Sequence, residues 1–323
     1  MAPVSHPDDE FHPPTTDDPE WSETCWFSFG VPERRLSGQL YPFFRPNLGV
    51  CAGAAYVWDD TGDQLWNVLY AKNFWHLPMP DQPLSDIDIA NGIRYRCVED
   101  QRVYEVGYED PDGDELRIAL TYTGVAPPNY LGRGHLDQPG RFTGRIVLRG
   151  EEMAVDCFGM RDRSWGVRSQ FGAGHGHVGY SYGAADERNG FHSIVMHDHD
   201  TLIHGHLMRD GVWGKLVEGR RTVADRDPAT GYQRRVVVEG RDEHGRELSA
   251  QGQALNALGI QINPNLASMD CMMEWDIDGT VGHGQDNDDW TQPTARAFFR
   301  RFLAGRRGPD DRGRVSTAPR SEV

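Results

Sequence analysis

The chain alternates short aromatic and β-branched runs with polar turns, and helical periodicity is rare. Trp26–Phe29, Leu40–Phe44, Gly53–Trp58 and Gln64–Tyr70 read as strands, with Asp60–Asp63 as a hairpin turn between the last two. Asp110–Asp114 separates Arg102–Tyr108 from Glu115–Tyr122. Arg209-Asp210-Gly211 separates Leu202–Met208 from Val212–Val217, and Asp242–Gly245 separates Arg234–Glu239 from Glu247–Gln253. Turns this tight predict antiparallel neighbours. Many strands at such spacing predict an all-β protein. One segment, Thr294–Leu303, has helical apolar spacing and predicts a short C-terminal helix.

The hairpin-rich pattern recurs on both sides of residue 165. It predicts two antiparallel β-barrel or sandwich halves, 21–165 and 166–303. Residues 1–20 and 304–323 lose the apolar pattern and predict a disordered N-terminal arm and a disordered tail. A closed barrel has no free edges and can hold one small ligand inside.

The formal net charge of −16 argues against nucleic-acid binding and against an anionic membrane surface, because both require clustered Lys and Arg. The five cysteines form no CxxC pair, which predicts free thiols in a reducing compartment. No apolar run is long enough for a membrane span, and residues 1–20 lack the apolar stretch of a signal peptide. The expectation is a cytoplasmic protein, monomer or homodimer. G-x-S-x-G, P-loop and dinucleotide glycine motifs are absent, so no cofactor is predicted.

Candidate chemistry starts at Arg161-Asp162-Arg163-Ser164-Trp165-Gly166. Asp162 between two arginines predicts ion pairing and a depressed pKa, suited to orienting or electrostatic work. The alternative is a buried Arg–Asp network clasping the two halves. Seven of the 13 histidines fall between His175 and His206. On a strand, residues i and i+2 share a face, so His175 with His177, His197 with His199 and His204 with His206 can converge. A metal site needs a third ligand, and Asp198 and Asp200 sit on the wrong parity for His197 and His199; no metal set is assigned. His177 and His197 are the candidate bases. Tyr180 and Tyr182 share a face and can hold a ligand, stabilise a cation or, for Tyr182, donate a proton. The aromatic segments around Tyr41 and Phe44, and around Trp75 and His76, suit either an apolar pocket or a core.

Gly159–Gly166, with Arg141-Phe142-Thr143-Gly144, Arg45–Gly49 and Gly211-Val212-Trp213, resembles a bacterial group related to the carotenoid 1,2-hydratase and AttH-like superfamily, over about residues 25–280. The resemblance implies two lipocalin-like halves. Characterised members include hydratases of isoprenoid double bonds, kievitone hydratase and fungal Diels–Alderases, acting on apolar substrates without a redox cofactor. It therefore implies a cofactor-independent hydratase, dehydratase or cyclase acting on an isoprenoid, steroid or polyketide-like molecule. No catalytic residue carries over from the family by position; on the reading of the residues above, Asp162, His177, His197 and Tyr182 are the catalytic candidates, and Trp165, Tyr180, Arg161, Trp75, His76, Tyr41 and Phe44 the substrate-lining ones. A non-catalytic binder of a hydrophobic metabolite and a His-ligated metal enzyme remain the alternatives.

Overall fold

A computed structural model of the chain describes residues 6–168, 176–196, 201–263 and 265–306. Twenty strands form two sheets, and one helix follows them. The first sheet contains β1 (Trp21–Val31), β2 (Leu36–Arg45), β3 (Val50–Trp58), β4 (Tyr70–Pro78), β5 (Asp86–Asp88), β6 (Ile93–Glu99), β7 (Val103–Glu109), β8 (Leu116–Gly124), β9 (Asn129–Tyr130), β10 (His135–Leu148) and β11 (Glu151–Val167). The second contains β12 (His177–Asp186), β13 (Asn189–Met196), β14 (Thr201–Arg209), β15 (Val212–Arg226), β16 (Gln233–Asp242), β17 (Glu247–Ala254), β18 (Leu258–Asn263), β19 (Leu266–Ile277) and β20 (Thr280–Thr291). The helix α1 (Gln292–Arg306) covers the predicted segment.

The first sheet runs β4-β3-β2-β1-β11-β10-β8-β7-β6-β5 and is an open half-barrel, its edge strands unpaired with each other. In the second, β17 pairs with β19 and closes an eight-stranded barrel, with β18 added outside. Three of the four predicted hairpin turns fall where the sequence places them, whereas Asp60–Asp63 opens a longer connection, residues 59–69, between β3 and β4. Asp210 and Gly211, for example, take the positive φ values (53° and 77°) that a two-residue hairpin requires.

Two expectations need correction. Gln64–Tyr70 is not a strand. The Asn67 side chain accepts from the Asp63 and Gln64 amides and folds this stretch into a turn, leaving Trp66 82% exposed. Nor are residues 6–20 a disordered arm. Asp9 is fully buried and receives Arg161 at 2.7 Å, so the segment seals the half-barrel interior.

The two sheets meet at a seam. Trp26 and Met160 of the first pack against Tyr180, Tyr182 and Ile194 of the second. Ala54, Tyr56 and Trp58 pack against Leu258 and Ile260. Each strand sends alternate residues to its own barrel interior and to the seam, and this alternation decides which polar residues can meet.

Candidate active site at the seam

Strand β11 shows the alternation most clearly. Arg161, Arg163 and Trp165 face the half-barrel interior. Arg161 pairs with Asp9 and lies 4.3 Å over the Tyr104 ring, Arg163 pairs with Glu23 at 2.6 Å, and Trp165 stacks on His12 at 4.0 Å. Met160, Asp162 and Ser164 face the seam. The arginines therefore clasp the N-terminal segment rather than the two halves, and they do not neutralise Asp162. Burial, with Asp137 nearby, pushes the Asp162 carboxyl up to about 6, against the opposing effect of His135. The expected depression is reversed because the partners assumed for it lie on the other face of the strand.

The centre of the site is Asp137 on β10, fully buried. Its Oδ1 accepts from the Tyr180 hydroxyl at 2.6 Å, and its Oδ2 lies 2.9 Å from Nε2 of His135. His192 Nε2 and His204 Nε2 approach the same oxygen at 3.8 and 3.7 Å. His135 holds Ser164 Oγ at 2.8 Å through Nδ1, with Asp162 at 3.7 Å. His206 lies behind His192, 5.6 Å between ring centroids, and stacks on Trp213.

These groups are driven apart in proton affinity. Burial alone would raise Asp137, but His135, His192 and the Tyr180 hydrogen bond hold it well below the carboxylate range. Burial would lower His135, but Asp137 and Asp162 lift it to about 9. Burial dominates at His192, which falls to about 4, and lowers His204 and His206 as well. Neither ring nitrogen of His192 has a hydrogen-bond partner, and Asp162 Oδ1 has none either. Buried polar atoms are nearly always partnered, so these atoms keep hydrogen-bonding capacity for a water or a ligand. Asp137, His192 and His204 also present donor atoms within 4.8 Å of one another, a set able to hold a metal ion, as are His135, Asp137 and Asp162.

The other sequence candidates fall elsewhere. Tyr182 is at the seam but donates to Ser28 Oγ at 2.8 Å. Tyr41 is half-buried at the seam beside Trp26. His177 shares β12 with Tyr180 but has the opposite parity. It points into the closed barrel, bonding Asp288 at 2.5 Å and stacking on Trp290 at 3.5 Å. Phe44 is fully buried in the half-barrel core. Trp75 and His76 are exposed on edge strand β4, away from the seam. His197 lies outside the described residues. Asp137 is not among the sequence candidates, and His135, His192 and His204 carry no assigned role there, although His192 and His204 belong to the histidine concentration and His204 is paired with His206. The one local signal was His135-Leu136-Asp137, an i, i+2 pair on one strand face.

The fold, two lipocalin-like halves, is shared with solved structures of low sequence identity. The chain belongs to the family DUF7064, a domain of unknown function, whose model matches residues 5–292. It is similar in structure to an AttH-assigned protein of Nitrosomonas europaea (TM-score 0.60, 14% identity, 90% of this chain and 98% of that one). It is also similar to kievitone hydratase from Nectria haematococca (0.53, 10%, 84% and 89%) and to CghA (0.51, 14%, 84% and 88%). No curated protein matches the sequence. No helix of the described residues is long and apolar enough to cross a membrane.

Proposed function

We propose that this protein is an acid–base lyase or isomerase, adding or removing water or closing a ring on an apolar substrate at the seam, with no redox cofactor. The observation that carries this reading is the opposed set around Asp137. Asp162 and the His135 imidazolium stand on one side as proton donors. His192 and His204 stand on the other as neutral acceptors. Titratable neighbours pushed apart in this way define acid and base roles. Asp162, through its unpartnered Oδ1, protonates an alkene carbon or a departing hydroxyl. The Trp26 and Tyr180 rings flank the cation that forms. His192 then takes a proton from the adjacent carbon or from the attacking water. Asp137 keeps its charge throughout and orients His135 and Tyr180. Kievitone hydratase, which shares this fold, is a hydratase by name, in keeping with that chemistry.

The test is incubation of the purified protein in D2O with an extract of apolar metabolites, read by mass spectrometry. The expected result is a product differing by one water, or an isomer carrying solvent deuterium, slowed about 10²–10⁴-fold by Asp162→Asn. A bound metabolite returned unchanged by the wild type overturns the reading in favour of a carrier. A second reading rests on the convergence of Asp137, His192 and His204. Stoichiometric metal in the purified protein, lost in His192→Gln, would transfer the chemistry to that ion.

A further inference from the structure

The seam carries a second group of unsatisfied polar atoms, one step along from the first. Asp137 and Asp162 are register partners on β10 and β11, and Asp162 and Trp26 on β11 and β1. Tyr41 follows on β2, packed on Trp26 with ring centroids 6.5 Å apart. On the facing sheet, Tyr180, Asn287 and Asp270 are register partners on β12, β20 and β19. Asp270 is thus two strand spacings, roughly 10 Å, from the strand whose Tyr180 touches Asp137.

Around Asp270 lie Ser268, which donates to it, and Asp289, the register partner of Ser268 on β20. Gln39, fully buried, accepts from Trp26 Nε1 at 2.9 Å through Oε1 and hydrogen-bonds the Asp270 carboxyl. Asn287 Oδ1 and Asp289 Oδ1 are buried and unpartnered. The charged groups acting on Tyr41 come from both ends of this row, Asp162 and Arg168 at one and Asp289 and Asp270 at the other. The tyrosine therefore sits between the two polar groups. Burial raises Asp270 to about 8 and Asp289 to about 7, so both are available as neutral carboxylic acids that donate as well as accept.

We propose that Asp270, Asp289 and Asn287, with Gln39 orienting Asp270, form a second polar subsite that binds a hydroxyl or carbonyl oxygen at the far end of the substrate from the reacting carbon. This rests on the reading of the Asp137–Asp162 end as the reactive one. It narrows the substrate to a rigid apolar body, two rings or their equivalent in length, with an uncharged oxygen at one end and the reacting group at the other. A carboxylate or phosphate end would meet carboxyl groups here rather than a cation. Arg221 and Arg226 are committed to Asp286 and Asp288 on the barrel side of the same sheet. Trp26 and Tyr41 then lie along the body of the molecule, and its length sets which carbon reaches Asp162.

The test needs binding alone, so it stands even where no turnover is found. 4,4′-Dihydroxybiphenyl, 4-hydroxybiphenyl and hydroquinone are titrated by isothermal calorimetry into the full chain. The first carries oxygens at both ends of a two-ring body, the second lacks one oxygen, and the third lacks the length. The two-ended compound is expected to bind about tenfold more tightly than either of the others. Asn287→Leu and Asp289→Leu are expected to abolish that preference, with thermal melts showing that both variants fold. Equal affinity for the three compounds, no binding of the two-ended one, or a preference that survives both substitutions would overturn the proposal. Asp162→Asn is expected to keep the preference, which separates failure of the subsite from failure of the acid–base reading.

Discussion

Two buried clusters of Asp and His lie on opposite faces of β12, and they differ in how completely their charges are satisfied. Inside the closed barrel, Arg221 donates through Nε (2.9 Å) and Nη2 (2.5 Å) to Asp286 and through Nη1 (3.0 Å) to Asp288. Arg226 reaches Asp288 at 2.8 Å, His177 bonds the same carboxylate, and Ser181 donates to Asp286. At the seam, Asp137 is held from several sides, but His192 and Asp162 present atoms with no partner. A fully satisfied network holds a barrel in one arrangement. A network with open donors and acceptors has capacity left for a substrate. The same residue types on one strand thus serve structure on one parity and, in the proposed function, chemistry on the other.

Breaking the satisfied cluster has the largest expected effect on stability. Arg221→Ala leaves two buried carboxylates without their guanidinium and is expected to cost about 3–5 kcal/mol in chemical denaturation. A loss below 1 kcal/mol would mean that the barrel network is as loose as the seam.

The seam responds to pH instead. His135 has a folded pKa near 9, above its unfolded value, so its contribution is fully present below about 6.5 and is lost as pH rises through 9. Stability is expected to fall by roughly 2–3 kcal/mol at most between pH 6.5 and 9. In His135→Gln the part of that slope above about pH 8 disappears, while Asp270 and Asp289, raised to about 8 and 7, still lower stability with rising pH below it, as denaturation curves across this range would show.

A smaller effect, of opposite sign, is expected at His192. Replacing a fully buried, unpartnered imidazole by phenylalanine removes a desolvated polar group. His192→Phe is expected to leave stability unchanged or raise it by about 1 kcal/mol, while turnover is lost. A clear loss of stability would show that His192 is tied into the structure as His177 is. Trp66→Ser, at an exposed turn, is expected to stay within about 0.5 kcal/mol of wild type.

The contrast also explains what the sequence reveals. The hairpins, the helix and the division into two β halves are local, written in turn residues and apolar alternation, and they are readable. Gln64–Tyr70 looks like a strand because its apolar content hides the Asn67 turn. Arg161-Asp162-Arg163 reads as one ion network because neighbours in sequence suggest neighbours in space, whereas a strand sends them to opposite faces. His177 and Tyr180 mislead for the same reason. The cluster itself gathers His135 and Asp137 from β10, Asp162 from β11, Tyr180 from β12, His192 from β13 and His204 from β14, and only sheet register brings these together. The histidine concentration after residue 175 points to the right region without indicating which members meet.

The protonation of Asp162 bears most directly on the proposed chemistry. Carbonyl 13C NMR of aspartate-labelled protein, assigned through Asp162→Asn, follows that carboxyl through a pH titration. A midpoint near 6 is expected from burial beside Asp137. A midpoint below 4 would place a permanently ionised carboxylate at the seam and contradict its role as the acid.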